Sequence, residues 1–506
     1  LDHDIDLTSD QGTAGESFDI EVPAGDPQFD PASTGIASIA LIRSQFASDT
    51  GTSLDNPRQQ ASEITAYVDG SQVYGSDIET ANSLRSFEGG KLLISDAGLL
   101  PTDADGSIMA GDIRADENIS LTALQTLFVR EHNRLADEII AADSTLTDEQ
   151  IYQQARAIVI AEIQAITYNE FLPALLGDRA IARYQGYDSS VNPTIANEFS
   201  TAAYRFGHST LNDEIEFFDN NGRAVQDSIT LAEAFHNPQL LEETGIDTLL
   251  KYEASTQAQE VDLEVVESLR NALFGPPGSG GLDLAALNIQ RGRDHGLADY
   301  NSTRQAYGLE AVSSFDEITS DVELQGKLES LYGDVNNIDL WVGLLAEDHV
   351  RGASVGELTQ TIITDQFERL RDADRFWYEN MFSGSELRQL QQTSLSDIIE
   401  RNSTVSGLQD NVFFMVAEVS GQVTMAASTT TSNRQAQQRG RSTELEGVAL
   451  ELLDDAGDVI DSTTTDRSGN YRFSSFAETG DYQIRLVGSD QHQPISAATL
   501  DILVNN

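Results

Sequence analysis

The chain has 506 residues, 39% of them hydrophobic, with 83 acidic against 30 basic side chains and a net charge of -53. That length supports one large domain or two domains around a substantial core, and it excludes wholesale disorder. A surface this negative repels nucleic acid and anionic lipid, no apolar run approaches the roughly 20 residues of a membrane helix, and the absence of Cys rules out disulfides and thiolate chemistry.

Lys91, Lys251 and Lys327 are the lysines, so arginine carries nearly all the positive charge, a pattern suited to salty media where counterions screen self-repulsion. The chain opens on Leu1 with no signal-like stretch, which reads as a processed or truncated product.

In chain order, the first hundred residues are rich in Gly, Asp, Ser and Thr and read as loops with short helices over a core. Within them "LDHDIDLT" sets His3 among carboxylates. "ITAYVDGSQVYGS" places Thr65, Tyr67, Asp69 and Ser71 at alternating positions. Hydroxyl, backbone carbonyl and carboxylate oxygens converging from that spacing suit Ca²⁺; a metal-free Thr/Ser turn is the equal alternative on these residues alone.

Regular helix is expected from Thr122 and Gln125, a capping-box pair, with Leu124, Leu127, Phe128, Leu135 and Ile139 at helical spacing. His132 falls on the buried face of that helix, where a structural histidine is expected. A second long helix follows the Thr147/Gln150 pair towards Pro173. Further helix is expected over Ser228–Ala234, Leu263–Leu273, Val322–Leu331 and Val355–Arg371. Strand signals are scarce before Phe414, so the large domain, residues 1–416, is mainly α. Residues 417–506 then alternate as short strands, among them Val448, Leu450 and Leu452, and Tyr482, Ile484 and Leu486, around an inserted loop near 426–444. This part resembles the Cna-B, SdrD-B and carboxypeptidase-regulatory-like β-sandwich modules of bacterial surface proteins.

Of seven histidines, His3, His208 and His295 stand in informative contexts. "AGDIRADENISLTALQTLFVREHNRLADEI", "YRFGHS" and "LDLAALNIQRGRDHGLADYN" follow the two N-terminal segments in order, with "DRFWYEN" and "SLSDIIERN…LQDNVFF" behind them. The ordered set resembles the animal-type haem peroxidases over Leu1 to about Met415. The resemblance implies their mainly α, calcium-stabilised fold, cut short at its N-terminus, followed by the small all-β sandwich. It implies haem b as cofactor, His3 as the distal histidine and Arg114 as the distal arginine. His208 becomes the proximal iron ligand, Asn288 its hydrogen-bonding partner, and Arg205 the partner of a haem propionate. Asp2 and Glu117 match the carboxylates that form ester links to haem, and Asp4 completes the calcium site with Thr65, Tyr67, Asp69 and Ser71. Within "RGRDHG", His295 is assigned no chemistry, and the motif reads as a structural network of charged hydrogen bonds. The family's distal glutamine would lie two residues before Leu1.

The function so implied is hydrogen-peroxide-dependent oxidation of halides or small aromatic donors through a ferryl intermediate, by a secreted or surface-held enzyme responding to oxidative stress. Its partners are peroxide and a small reducing substrate, with surface or matrix attachment through the C-terminal module. Two alternatives stand beside it. One is a fatty-acid dioxygenase of the same superfamily, whose cyclooxygenase-like members carry a tyrosine three residues before the proximal histidine, where this chain has Arg205. The other is an inert adhesion or matrix protein, supported by the C-terminal module alone.

Overall fold

Asn118 starts the longest helix, α3 (Ile119–Ala142), because its side-chain oxygen accepts from the Ser120 N–H at 2.8 Å and satisfies an otherwise orphaned donor. The expected Thr122/Gln125 cap is not the start. Both residues sit buried inside the helix, where the Thr122 hydroxyl donates to the Ala115 and Asn118 carbonyls. Ile119, Ala123 and Leu127 recur every four residues on one buried face. The next long helix, α4 (Asp148–Ile166), begins as expected with Thr147 and Gln150 in a reciprocal capping box. It continues through a π-helical turn, Thr167–Phe171, into Leu172–Leu176, so Pro173 occupies a helix start and does not end one.

The computed structural model describes the chain apart from residues 9–14, 274–280, 415–418, 426–442, 446, 454–456, 458, 468, 474–479, 489–498 and 505–506. The expected inserted loop near 426–444 falls almost wholly outside these residues. Two compact units result, Leu1–Phe413 and Phe414–Asn506.

In the first unit, strands among the described residues are two-residue pairs, such as Ile20–Glu21 with Ser38–Ile39. Helix forms at Val322–Tyr332 and Glu357–Asp372, as the periodicity predicts. The expected helix over 263–273 shrinks to Glu267–Arg270, and that over 228–234 to Leu231–Ala234 behind a short strand. Both are too short to form on propensity alone and depend on tertiary packing.

The helix Leu395–Asn402 packs on α3 through a buried charge cluster. Arg401 forks onto the Glu131 carboxylate at 2.7 and 3.1 Å and also reaches Glu162 of α4. Burial, and then the charge of Glu131, push the Glu162 carboxyl up to about 8, so it holds its proton at neutral pH. A folded value above the ordinary one stabilises fully below the unfolded pKa and loses that stabilisation as pH rises through about 8. Glu162→Gln should therefore flatten the decline in Tm on raising the pH from about 6 to about 9. Parallel declines in variant and parent, read by calorimetry, would contradict this.

The second unit holds a four-stranded antiparallel sheet of Thr499–Val504, Gly480–Gly488, Ala449–Leu453 and Val459–Thr464, in that order, and a pair formed by Asn470–Phe473 with Val419–Gln422. Leu450, Leu452, Ile484 and Phe473 form its core. On the opposite face of the pleat Arg485 pairs with Glu451, its direct cross-strand neighbour.

Candidate active site

Residue spacing makes the first side of the site. In the short helix α1 (Asp2–Ile5), Asp4 is buried while its neighbours Asp2 and His3 keep some exposure. Asp4 accepts from the Gly70 N–H at 3.2 Å and from the Ser71 N–H and hydroxyl at 2.6 and 2.9 Å, which ties α1 to the helix α2 (Ser71–Tyr74). The Gly111 N–H donates to the Gln72 carbonyl at 3.1 Å, and a Cβ at Gly111 would stand 2.2 Å from the Ser71 carbonyl oxygen. Only glycine lets the "GDIR" loop lie this close. The helix α2 is thus a common abutment for the segments carrying His3 and Arg114.

Arg114 is clamped by Asp112, which accepts from Nε and Nη2 at 2.8 Å each, and Nη2 also donates to the Asp6 carbonyl at 2.8 Å. Nη1 points at Asp2, 3.5 Å away. His3 sits between carboxylates, with Nδ1 3.7 Å from Asp112 and Nε2 3.5 Å from Glu117. Both distances exceed a hydrogen bond, and Nδ1 is buried without a partner. Burial, followed by the Arg114 charge, lowers His3 to about 4, against the pull of Asp2 and Asp112. Burial would raise Asp112, but the fork from Arg114 holds it below the usual range. Burial raises Glu117.

The second side comes from the 3₁₀ turn Ala203–His208 and the helix Leu284–Asp294. Asn288, fully buried, bridges the two: its Nδ2 lies 2.8 Å from His208 Nδ1, and its Oδ1 accepts from Arg205 Nη1 at 2.9 Å. With the amide so oriented, His208 Nδ1 is the acceptor and its ring proton sits on Nε2. Turning the amide over would offer Oδ1 to an Nδ1–H and leave Nε2 free to ligate. Burial, and then the Arg205 charge, lower His208 to about 4. Two further anchors fix this helix. His295 lies 2.7 Å from the Thr201 hydroxyl and 2.8 Å from that of Ser44, and Asp294 takes charged bonds from Arg43 and Arg291. "RGRDHG" is this network of charged hydrogen bonds.

Asp2 connects the two sides. Its charge acts on His3, Arg114 and Glu117, and also on His208, Tyr204 and Asp6. The seven residues expected around the cofactor therefore border one region. Asp112 and Asp6 also border it and were missed, although Asp112, two residues before Arg114 in "GDIR", stood where a side chain can fork onto the arginine.

These groups suit a haem. One group offers a buried imidazole held by an amide; the other offers a neutral imidazole whose Nδ1 has no hydrogen bond, a fixed guanidinium and two half-exposed carboxylates. The calcium group is also drawn together in part. Thr65 donates to Asp69 at 3.0 Å, Ser71 holds Asp4, and the Tyr67 carbonyl accepts from the Asp69 N–H at 2.9 Å. Burial, then the Asp69 charge, push Asp4 up to about 7. A buried and a half-buried carboxylate among hydroxyl and carbonyl oxygens are a donor set for a hard cation. His132 is the structural histidine expected, bonded to the Tyr74 hydroxyl at 3.0 Å and the Gly90 carbonyl at 2.8 Å.

The animal haem peroxidase family profile matches residues 1–413, and an SdrD B-like domain profile matches residues 421–499. Peroxinectin A of Dictyostelium discoideum is 37% identical over 78% of this chain and 79% of its own length. The human peroxidasin homologue is 37% identical over 78% of this chain, which spans 29% of that protein's length. Among solved structures, peroxidase A from Dictyostelium discoideum superimposes with a TM-score of 0.75 at 35% identity, covering 81% of this chain and 84% of that one. A fatty acid α-dioxygenase of Oryza sativa gives 0.67 at 25% identity, over 79% and 72%.

Proposed function

The chain belongs to the animal haem peroxidase family and is a peroxidase-type oxidoreductase, and on that premise we propose that it uses hydrogen peroxide to oxidise halides or small aromatic donors between His3 and His208. A bound haem would supply the redox-active iron at which peroxide is reduced. His208 would hold that iron through Nε2 once Asn288 accepts its Nδ1–H, which adds anionic character to the ligand. Arg205 would turn to a propionate, and Asp2 and Glu117 would form the ester links.

The chain's own chemistry is proton transfer and charge stabilisation. An imidazole lowered to about 4 is neutral at physiological pH, so His3 Nε2 can take the proton from one peroxide oxygen and return it to the other as water leaves. Negative charge gathers on the departing oxygen, and Arg114, always protonated and fixed by Asp112, stabilises it without reorganising. Asp4, Thr65, Tyr67, Asp69 and Ser71 would hold calcium, which fixes the backbone one residue from His3.

What carries the reading is a neutral His3 whose Nδ1 has no hydrogen bond and a clamped Arg114, together with the amide-held His208, all within reach of the Asp2 charge. Arg205 in place of tyrosine three residues before His208 weighs against the dioxygenase reading despite that fold neighbour. The C-terminal module favours a secreted enzyme held at a surface or matrix. Haem titration should give a stoichiometric Soret band that shifts on adding H2O2 and returns with iodide or a phenol, and metal analysis should find calcium. Stoichiometric haem with no peroxide response would overturn the proposal.

A further inference from the structure

An aromatic path leads away from the candidate site. Tyr204 lies four residues before His208 in the same 3₁₀ turn, Ala203–His208. Its ring stacks on Phe199 at 4.6 Å between centroids and meets Phe367 at 5.7 Å. Phe367 meets Tyr168 at 5.9 Å, Tyr168 meets Trp377 at 4.7 Å, and Trp377 meets Tyr184 at 5.9 Å. Rings this close are in contact along the whole route.

The route ends at a cavity of about 370 Å³, lined by Tyr168, Trp377, Tyr184, Tyr378, Arg183 and Glu379 among others. A hydrophobic core needs aromatic contacts, but not the polar arrangement found here. The Tyr168 hydroxyl donates to the Phe367 backbone carbonyl, which cannot take up a proton. The Trp377 indole N–H instead points at the Glu379 carboxylate, 3.3 Å away. Trp377 is thus the ring on the path whose N–H faces a base, and it lies at the cavity wall beside the half-buried Tyr184.

We propose that this cavity is a second oxidation site, where a phenolic donor reduces Trp377 and the electron passes through Tyr168, Phe367 and Tyr204 to the cofactor. The inference rests on the peroxidase reading above. Hydrogen peroxide takes up two electrons and two protons and leaves as two waters. Each electron drawn along the path oxidises Trp377, whose indole proton moves to Glu379. A phenol in the cavity then returns one electron to the indole, its O–H proton goes to solvent, and the Glu379 proton returns to the indole nitrogen. Two phenoxyl radicals result per peroxide. Such a site serves phenols attached to large molecules, which cannot enter a buried haem pocket.

The test compares free tyramine with tyramine coupled to dextran, using the haem-loaded full chain. The parent should oxidise both, and Trp377→Phe, which keeps a ring against Tyr168, should lose at least about tenfold on the dextran conjugate while free tyramine stays within about twofold. Glu379→Gln, which leaves the ring packing intact, should show the same selective loss. Rapid freeze-quench electron paramagnetic resonance, with peroxide and no donor, should show a tryptophanyl radical that Trp377→Phe abolishes. Oxidation of free tyramine without the conjugate, equal rates in parent and Trp377→Phe, or an unchanged radical would overturn the second site alone. Failure on both substrates would overturn the peroxidase reading as well.

Discussion

His208→Ala is expected to yield protein that folds but does not retain stoichiometric haem. His208 is the imidazole in the site aligned by a buried amide. Removing the imidazole leaves Asn288 bonded to Arg205, as it already is, and strands its buried Nδ2 at a cost of about 1–3 kcal/mol. The cofactor, by contrast, loses its proposed iron ligand. Haem titration followed at the Soret band, with circular dichroism as the folding control, separates the two outcomes. A variant with normal haem content and normal peroxide response would show that His208 is not the ligand.

His3→Ala is expected to keep haem but to slow the peroxide-induced spectral change by at least about 10²-fold, the lower range for general acid–base catalysis. The residue makes no hydrogen bond through Nδ1 that the fold would miss, so the loss should fall on rate and not on stability. Its lowered value sets the pH signature. The imidazole stays a base at neutral pH and becomes protonated only as pH falls through about 4, where the parent should lose its peroxide reaction. The variant should lack that acid limb. Stopped-flow rates across the pH range check both expectations, and an unchanged rate at neutral pH would remove His3 from proton transfer.

Much of this site could be read from the chain because each residue lies within a short local motif. "GDIR", "YRFGHS" and "LNIQRG" each deliver a side chain from one turn of backbone, and their order along the chain identified the family. Asp112 and Asp6 were harder to find, since a carboxylate in a chain with 83 acidic residues carries no signal until its partner is known. The aromatic path was invisible for a different reason. Tyr168, Phe367 and Trp377 come from three separated segments, and only tertiary packing sets their rings in contact. In the fold, the Thr147/Gln150 cap could be read because it is wholly local. Thr122 misled because its hydroxyl satisfies carbonyls of the preceding turn from inside the helix, an alternative that spacing cannot distinguish from a cap.

The amide of Asn288 has a consequence for how the protein is loaded. While Arg205 holds Oδ1, the His208 proton stays on Nε2, and an imidazole so protonated has no lone pair there for a metal ion. A stray zinc or copper ion brings nothing that draws Arg205 away. A haem propionate paired with Arg205, as proposed, would draw it away, and the amide would then be free to turn and the tautomer to switch. Selectivity for the porphyrin over loose divalent metal would then be set by a charge on its periphery, several bonds from the iron.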